Sequence, residues 1–96
     1  MRAERRAAGD QVLRVQACPN QLGHPRFGIA AGRRLGGAVQ RNLVRRRLRA
    51  AAAAELGALL GFDLVLIPAP GAAQRSYHEL ARSLQRNLDR LGVRAR

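Results

Sequence analysis

Arg33, Arg34, Arg41, Arg45, Arg46, Arg47 and Arg49 crowd one stretch of the chain, with Gly36 and Gly37, a short apolar skeleton and no acidic residue among them. Guanidinium groups hold phosphate in two-pronged contacts and stack on bases. Their pKa is too high for proton transfer at neutral pH, so the chemistry they offer is binding. At about 100° per residue, with Val44 as the origin, Arg41, Arg34, Arg45, Arg49, Asn42 and Arg46 fall between roughly 60° and 200°. Val44, Leu48 and Ala51 cluster near zero. A helix here carries a guanidinium face beside an apolar one, and a single-sign arc of this length suits a polyanion. Arg47 falls inside the apolar arc, so it must snorkel or mark a bend.

Residues able to break bonds are thinly spread. The acids are Glu4, Asp10, Glu55, Asp63, Glu79 and Asp89, and no two sit at a spacing that would hold a metal ion or split acid and base roles. His24 and His78 are far apart and lack ligand spacing. Cys18 is alone, which excludes an internal disulfide or a multi-cysteine zinc site and agrees with a reducing cytosol. The catalytic and metal sites are therefore expected to be none, and the chain reads as a binder.

The whole chain repeats the theme. Its 96 residues, read as one domain over residues 1–96, carry a net charge of +12. Every basic residue is arginine, and a chain this basic associates with nucleic acid with an affinity that falls as salt rises. Aromatics are only 3 %, so the core must be built of Leu, Val, Ile and Ala, with Phe27, Phe62 and Tyr77 as its aromatic members. No apolar run approaches the ~20 residues of a membrane span, and no signal-peptide core follows the N-terminus. The expected location is cytoplasmic.

The elements that position the basic stretch follow from periodicity. Residues 1–10 read as a frayed helical turn or a flexible arm, with Gly9-Asp10 as a breaker. Gln11 to Ala17 alternates, Leu13, Val15 and Ala17 inward and Val12, Arg14 and Gln16 outward. Pro19 to Pro25 is a turn region, and Arg26 to Ala31 alternates again with Phe27, Ile29 and Ala31 inward. These two strands are expected to pair as an antiparallel hairpin. The basic helix runs on through Ala50–Ala54 to Gly57 or Gly61. Phe62 to Ile67 is a buried central strand stopped by Pro68 and Pro70. Ser76 and Glu79 form a capping box, Tyr77, Leu80, Leu84, Leu88 and Leu91 make a core stripe, and Gly92 ends the helix. The order β-β-α-β-α is an α+β chain, with a β-α-β unit whose crossover is right-handed by general statistics.

At its basic stretch the chain resembles the bacterial ribonuclease P protein component. The resemblance rests on Arg33-Arg34, Gly36, Ala38-Val39, Arg41-Asn42, Arg45-Arg46 and Arg49. The strand Arg26–Ala31, the strand Asp63–Ile67 and the helix start Ser76–Leu80 extend it over about residues 11–91. It implies a two-layer α/β sandwich, ribosomal protein S5 domain 2-like, with an unusual left-handed β-α-β crossover. It further implies an accessory subunit of an endoribonuclease that removes the 5′ leader of precursor tRNA. The partner RNA is then the catalyst, and Mg2+ serves that RNA while the protein holds no cofactor. Arg33, Arg34, Arg41, Asn42, Arg45, Arg46 and Arg49 would contact the RNA subunit, and Val12, Arg14 and Gln16 would face a leader cleft. Relative to the family the chain shows no N-terminal helix with phenylalanines, reads Pro68-Ala69-Pro70 where a basic residue is common, and is poor in stacking aromatics. A structural RNA- or ribosome-binding module is the alternative reading. An anionic-membrane binder fits less well, because alanines stand where insertion wants large apolar residues.

Overall fold

Alternating burial along two strands sets the architecture. In this computed structural model, which describes residues 5–95, β2 (Leu13–Pro19) buries Leu13, Val15 and Ala17 and leaves Arg14 and Gln16 exposed. Strand β4 (Phe62–Pro68) does the same with Phe62, Leu64, Leu66 and Pro68 against Asp63, Val65 and Ile67. Both strands therefore have one wet face, and the helices cover the other.

The chain runs β1 (Arg6–Gly9), β2, β3 (Arg26–Ile29), a 3-10 turn at Arg33–Leu35, α1 (Ala38–Glu55), β4, a 3-10 turn at Pro70–Gln74 and α2 (Tyr77–Leu91). A short 3-10 turn, Leu56–Ala58, closes α1. The sheet order is β1-β2-β4-β3. β1 and β4 both pair antiparallel with β2, while β3 pairs parallel with β4. This is a two-layer α/β sandwich in which β4 is central, as its apolar run requires, and β3-α1-β4 forms the expected β-α-β unit.

Two expectations are corrected. Residues 6–9 are neither a helical turn nor a free arm: they form β1, and residues 10–12 make the hairpin turn into β2, closed by the Asp10 N–H on the Leu13 carbonyl. Residues 1–4 lie outside the described residues. The order is thus β-β-β-α-β-α. Strands β2 and β3 also do not form a hairpin, because β4 inserts between them and takes the hydrogen bonds of both. A long central strand offers each neighbour more buried apolar pairing than the four-residue β3 could give β2 alone.

The core joins Leu13 and Val15, Leu64 and Leu66, Val44 and Leu48 of α1, and Leu80, Leu84 and Leu88 of α2, all at most 1 % exposed. Asp10 locks α2 to the β1–β2 turn. Its carboxylate accepts from the backbone N–H of Val12 (2.8 Å) and Leu13 (3.0 Å), from the buried Ser83 hydroxyl (2.8 Å) and from Arg86 (2.9 Å). Burial alone would raise its pKa, but these donors outweigh it and hold the group at about 2. Asn87, fully buried on the same helix, donates to the Leu13 carbonyl at 3.2 Å. The capping box at the start of α2 is present, and Gly92 ends that helix at φ 67°, a left-handed conformation that costs other residues more.

Candidate nucleic-acid interface

Helix α1 owes its position to Val44, Leu48, Ala51 and Ala52, which are buried against the sheet and α2. With those side chains fixed inward, the guanidinium groups are turned to solvent. Arg33, Arg34, Asn42, Arg46 and Arg49 are exposed, and Arg41 and Arg45 are half-buried at the flank. Arg47 behaves differently. It lies toward the core side as its place in the apolar arc demands, and donates to the Arg75 carbonyl, so it snorkels and ties α1 to the turn that leads into α2.

Arg33 and Arg34 are not on α1 itself. They occupy the 3-10 turn, which Gly36 ends at φ 114°, a conformation that favours glycine; a Cβ there would meet the Gln40 side chain at 3.3 Å. The start of α1 has no acidic residue in its first turn and no side-chain cap from Gly37. The positive end of the helix dipole therefore adds to the two arginines instead of being neutralised.

Charge pairing separates this surface from the rest of the molecule. Each carboxylate among the described residues is engaged by an arginine: Asp10 by Arg86, Asp63 by Arg26, Glu79 by Arg75, and Glu55 and Asp89 by Arg94. None of these partners belongs to the basic stretch. Among the described residues no ion pair involves Arg33, Arg34, Arg41, Arg45, Arg46 or Arg49. No group of three or more His, Cys, Asp or Glu that could hold a metal ion occurs among the described residues. The arrangement can grip a polyanion.

The open face of the sheet forms a second surface. The register brings Gln16, Val65 and Gly28 into one row and Cys18, Asp63 and Arg26 into the next. A cleft of about 390 Å³ lies over β1, β2 and β4, lined by Arg5, Ala7, Gln16, Cys18, Asp63 and Val65 among others. Arg26 binds Asp63 through two nitrogens, at 2.8 and 2.7 Å, and Asn20 adds a third contact at 3.0 Å. The Arg26 and Asn20 hydrogen bonds hold the Asp63 carboxylate at about 2 despite a small opposing effect of burial. A further cleft of about 320 Å³ lies at the end of the sheet, where Arg14, Ala30 and Ile67 meet Gly32 and Arg34. Arg14 and Gln16 face outward, as the alternation predicts. Val12 does not: it is 8 % exposed and belongs to the core. Asp10 turns the chain so that alternation begins at Leu13, and two successive residues point inward. Val65, Ile67 and Arg5 went unassigned in the sequence, although the alternation of β4 carried the signal for the first two.

Fold and surface together define a polyanion-binding α/β sandwich whose exposed helix arginines pair with no carboxylate among the described residues. The ribonuclease P family profile matches residues 1–92. The protein component from Acidothermus cellulolyticus is 39 % identical over 93 residues, covering 95 % of this chain and 78 % of its own. That from Roseiflexus castenholzii is 38 % identical, covering 85 % and 69 %. Among solved structures, the Staphylococcus aureus RNase P protein superposes with a TM-score of 0.84 at 26 % identity, covering 93 % of this chain and 83 % of that one. The Thermotoga maritima protein gives 0.78 at 25 % identity, covering 92 % and 82 %. This chain belongs to the ribonuclease P protein family. It is a protein subunit of that tRNA-processing endoribonuclease, and its partner is the ribonuclease P RNA.

Proposed function

We propose that α1 and the turn before it dock this protein onto the RNA subunit, and that the RNA carries out the cleavage. In this reading Arg41, Asn42, Arg45, Arg46 and Arg49 contact the RNA, with Arg33 and Arg34 extending the contact. The observation that carries it is the charge pairing: every described carboxylate is held by an arginine elsewhere, and the α1 arginines are left uncompensated. Carboxylates tied up in this way are poor metal ligands and poor general bases, so magnesium belongs with the RNA.

The open sheet face takes the 5′ leader of precursor tRNA. Arg14 and Gln16 line its clefts, and the Arg14–Arg34 cleft lies between that face and the docking helix, giving a single strand a path from one to the other. The protein then acts by adding positive charge along the substrate, which lowers the demand for magnesium counterions. No helix among the described residues is long and apolar enough to cross a membrane, and the working compartment is the cytoplasm. Reconstitution with the matching RNA tests the whole reading. The protein is expected to raise precursor-tRNA cleavage at low magnesium, and unchanged cleavage there contradicts it.

A further inference from the structure

Tyr77 joins the leucine stripe of α2 in sequence but leaves it in space. Leu80, Leu84 and Leu88 are fully buried, whereas Tyr77 is 37 % exposed and His78 beside it is exposed as well. Their rings meet edge to face, with centroids 5.7 Å apart and planes at 68°. The other rings of the molecule are placed differently: Phe62 is buried beneath the Arg6 guanidinium, Phe27 is half-buried in the sheet, and His24 is on the loop after β2.

The pair also stands next to the docking helix. Arg47 of α1 binds the Arg75 carbonyl, two residues before Tyr77, and Gln85 of α2 reaches Glu55 of α1 at 3.4 Å. Tyr77, Ala81 and Gln85 follow at i, i+4 and i+8, and His78 precedes Gln85 by seven. At about 3.6 residues per turn these positions share one flank of α2, the flank that Gln85 turns toward α1. The capping box fixes the backbone at this point through Ser76 and Glu79, so the helix start does not need the rings.

We propose that Tyr77 and His78 form a stacking site for an unpaired base of the RNA that α1 holds. The proposal rests on the docking role given above. Arginines grip phosphates whatever the base, whereas an exposed ring offers a face that only an unstacked base can cover. A fully paired helix presents no such base, so the occupant is a bulged or looped nucleotide. The site gives an otherwise electrostatic interface a contact that does not weaken with salt.

Binding of the ribonuclease P RNA across a salt series tests it, using the full chain. His78→Ala and Tyr77→Ala are expected to bind roughly tenfold more weakly, with the salt slope unchanged because no phosphate contact is lost. Tyr77→Phe and His78→Phe keep wild-type affinity. Alanine variants that bind as tightly as wild type overturn the proposal. So does a slope that falls with the affinity, or a phenylalanine variant as weak as the alanine one. Thermal unfolding checks the fold, and should Tyr77→Ala not fold, His78→Ala and His78→Phe decide. Failure of the wild-type protein to bind this RNA overturns the docking role and the stacking site together. Wild-type binding with unaffected variants removes the stacking site alone.

Discussion

Arg14 on β2 and Arg34 in the turn before α1 line the same cleft, although neither is near the other in sequence. One belongs to the open sheet face and the other to the docking surface, so the two regions meet at the end of the sheet. The small or apolar Ala30, Gly32 and Ile67 line the cleft with them, as does Asp10, whose carboxylate is held by Arg86.

That junction predicts a division of labour. Arg34→Ala should weaken binding of both the RNA subunit and leader-bearing precursor tRNA. Arg14→Ala should weaken only the precursor, and by the same amount whether or not the RNA subunit has first been saturated. Each lost phosphate contact lowers the salt slope by roughly 0.7–0.9. Equal effects of Arg14→Ala on precursor and on mature tRNA would remove the leader from this cleft.

Arg46 and Arg47 are adjacent in sequence and opposite in role. Arg46→Ala should reduce the salt slope of RNA binding by about 0.7–0.9 and leave stability unchanged. Arg47→Ala removes the bond to the Arg75 carbonyl and should lower folding stability by about 1–2 kcal/mol, with the slope intact. Paired urea unfolding and salt titration of the two variants read both effects, and a shared phenotype would contradict the assignment.

Asp10 predicts the acid limit of the fold. Its folded pKa is about 2 against an ordinary 3.8, so the native state favours the ionised form. The stabilisation is complete above pH 4–5, amounts to about 2 kcal/mol, and is lost as pH falls from about 4 through 2. Asp10→Asn should be less stable than wild type at neutral pH, and the gap should close toward pH 2. A gap independent of pH in urea melts would assign the loss to packing instead.

How much of this was legible depended on how local each signal was. The guanidinium arc, the capping box and the Gly92 cap are written in consecutive residues, and each is present; the apolar run of β4 marked a central strand, but only its Phe62, Leu64, Leu66 and Pro68 face is buried. Pairing partners are not local. The Arg6–Gly9 segment has no alternation of its own and becomes a strand only because β2 offers an edge. The β2–β3 turn looked like a hairpin, since nothing near it announces that β4 will come between. Tyr77 fitted the helical spacing of the core, but as the first residue of α2 it is 37 % exposed, and the buried stripe begins only at Leu80. Val12 followed the alternation and failed because the Asp10 side chain bends the backbone one residue ahead of the strand.

The pairing of every described carboxylate with arginines outside the docking surface has a consequence for the free subunit. Its folded state crowds like charges on one side without relief, a tension that unfolding would disperse. An RNA that binds only the folded chain stabilises it by mass action, supplying the counter-charge that the polypeptide omits. The free subunit is thus the less durable form, and its melting temperature should climb as RNA is added.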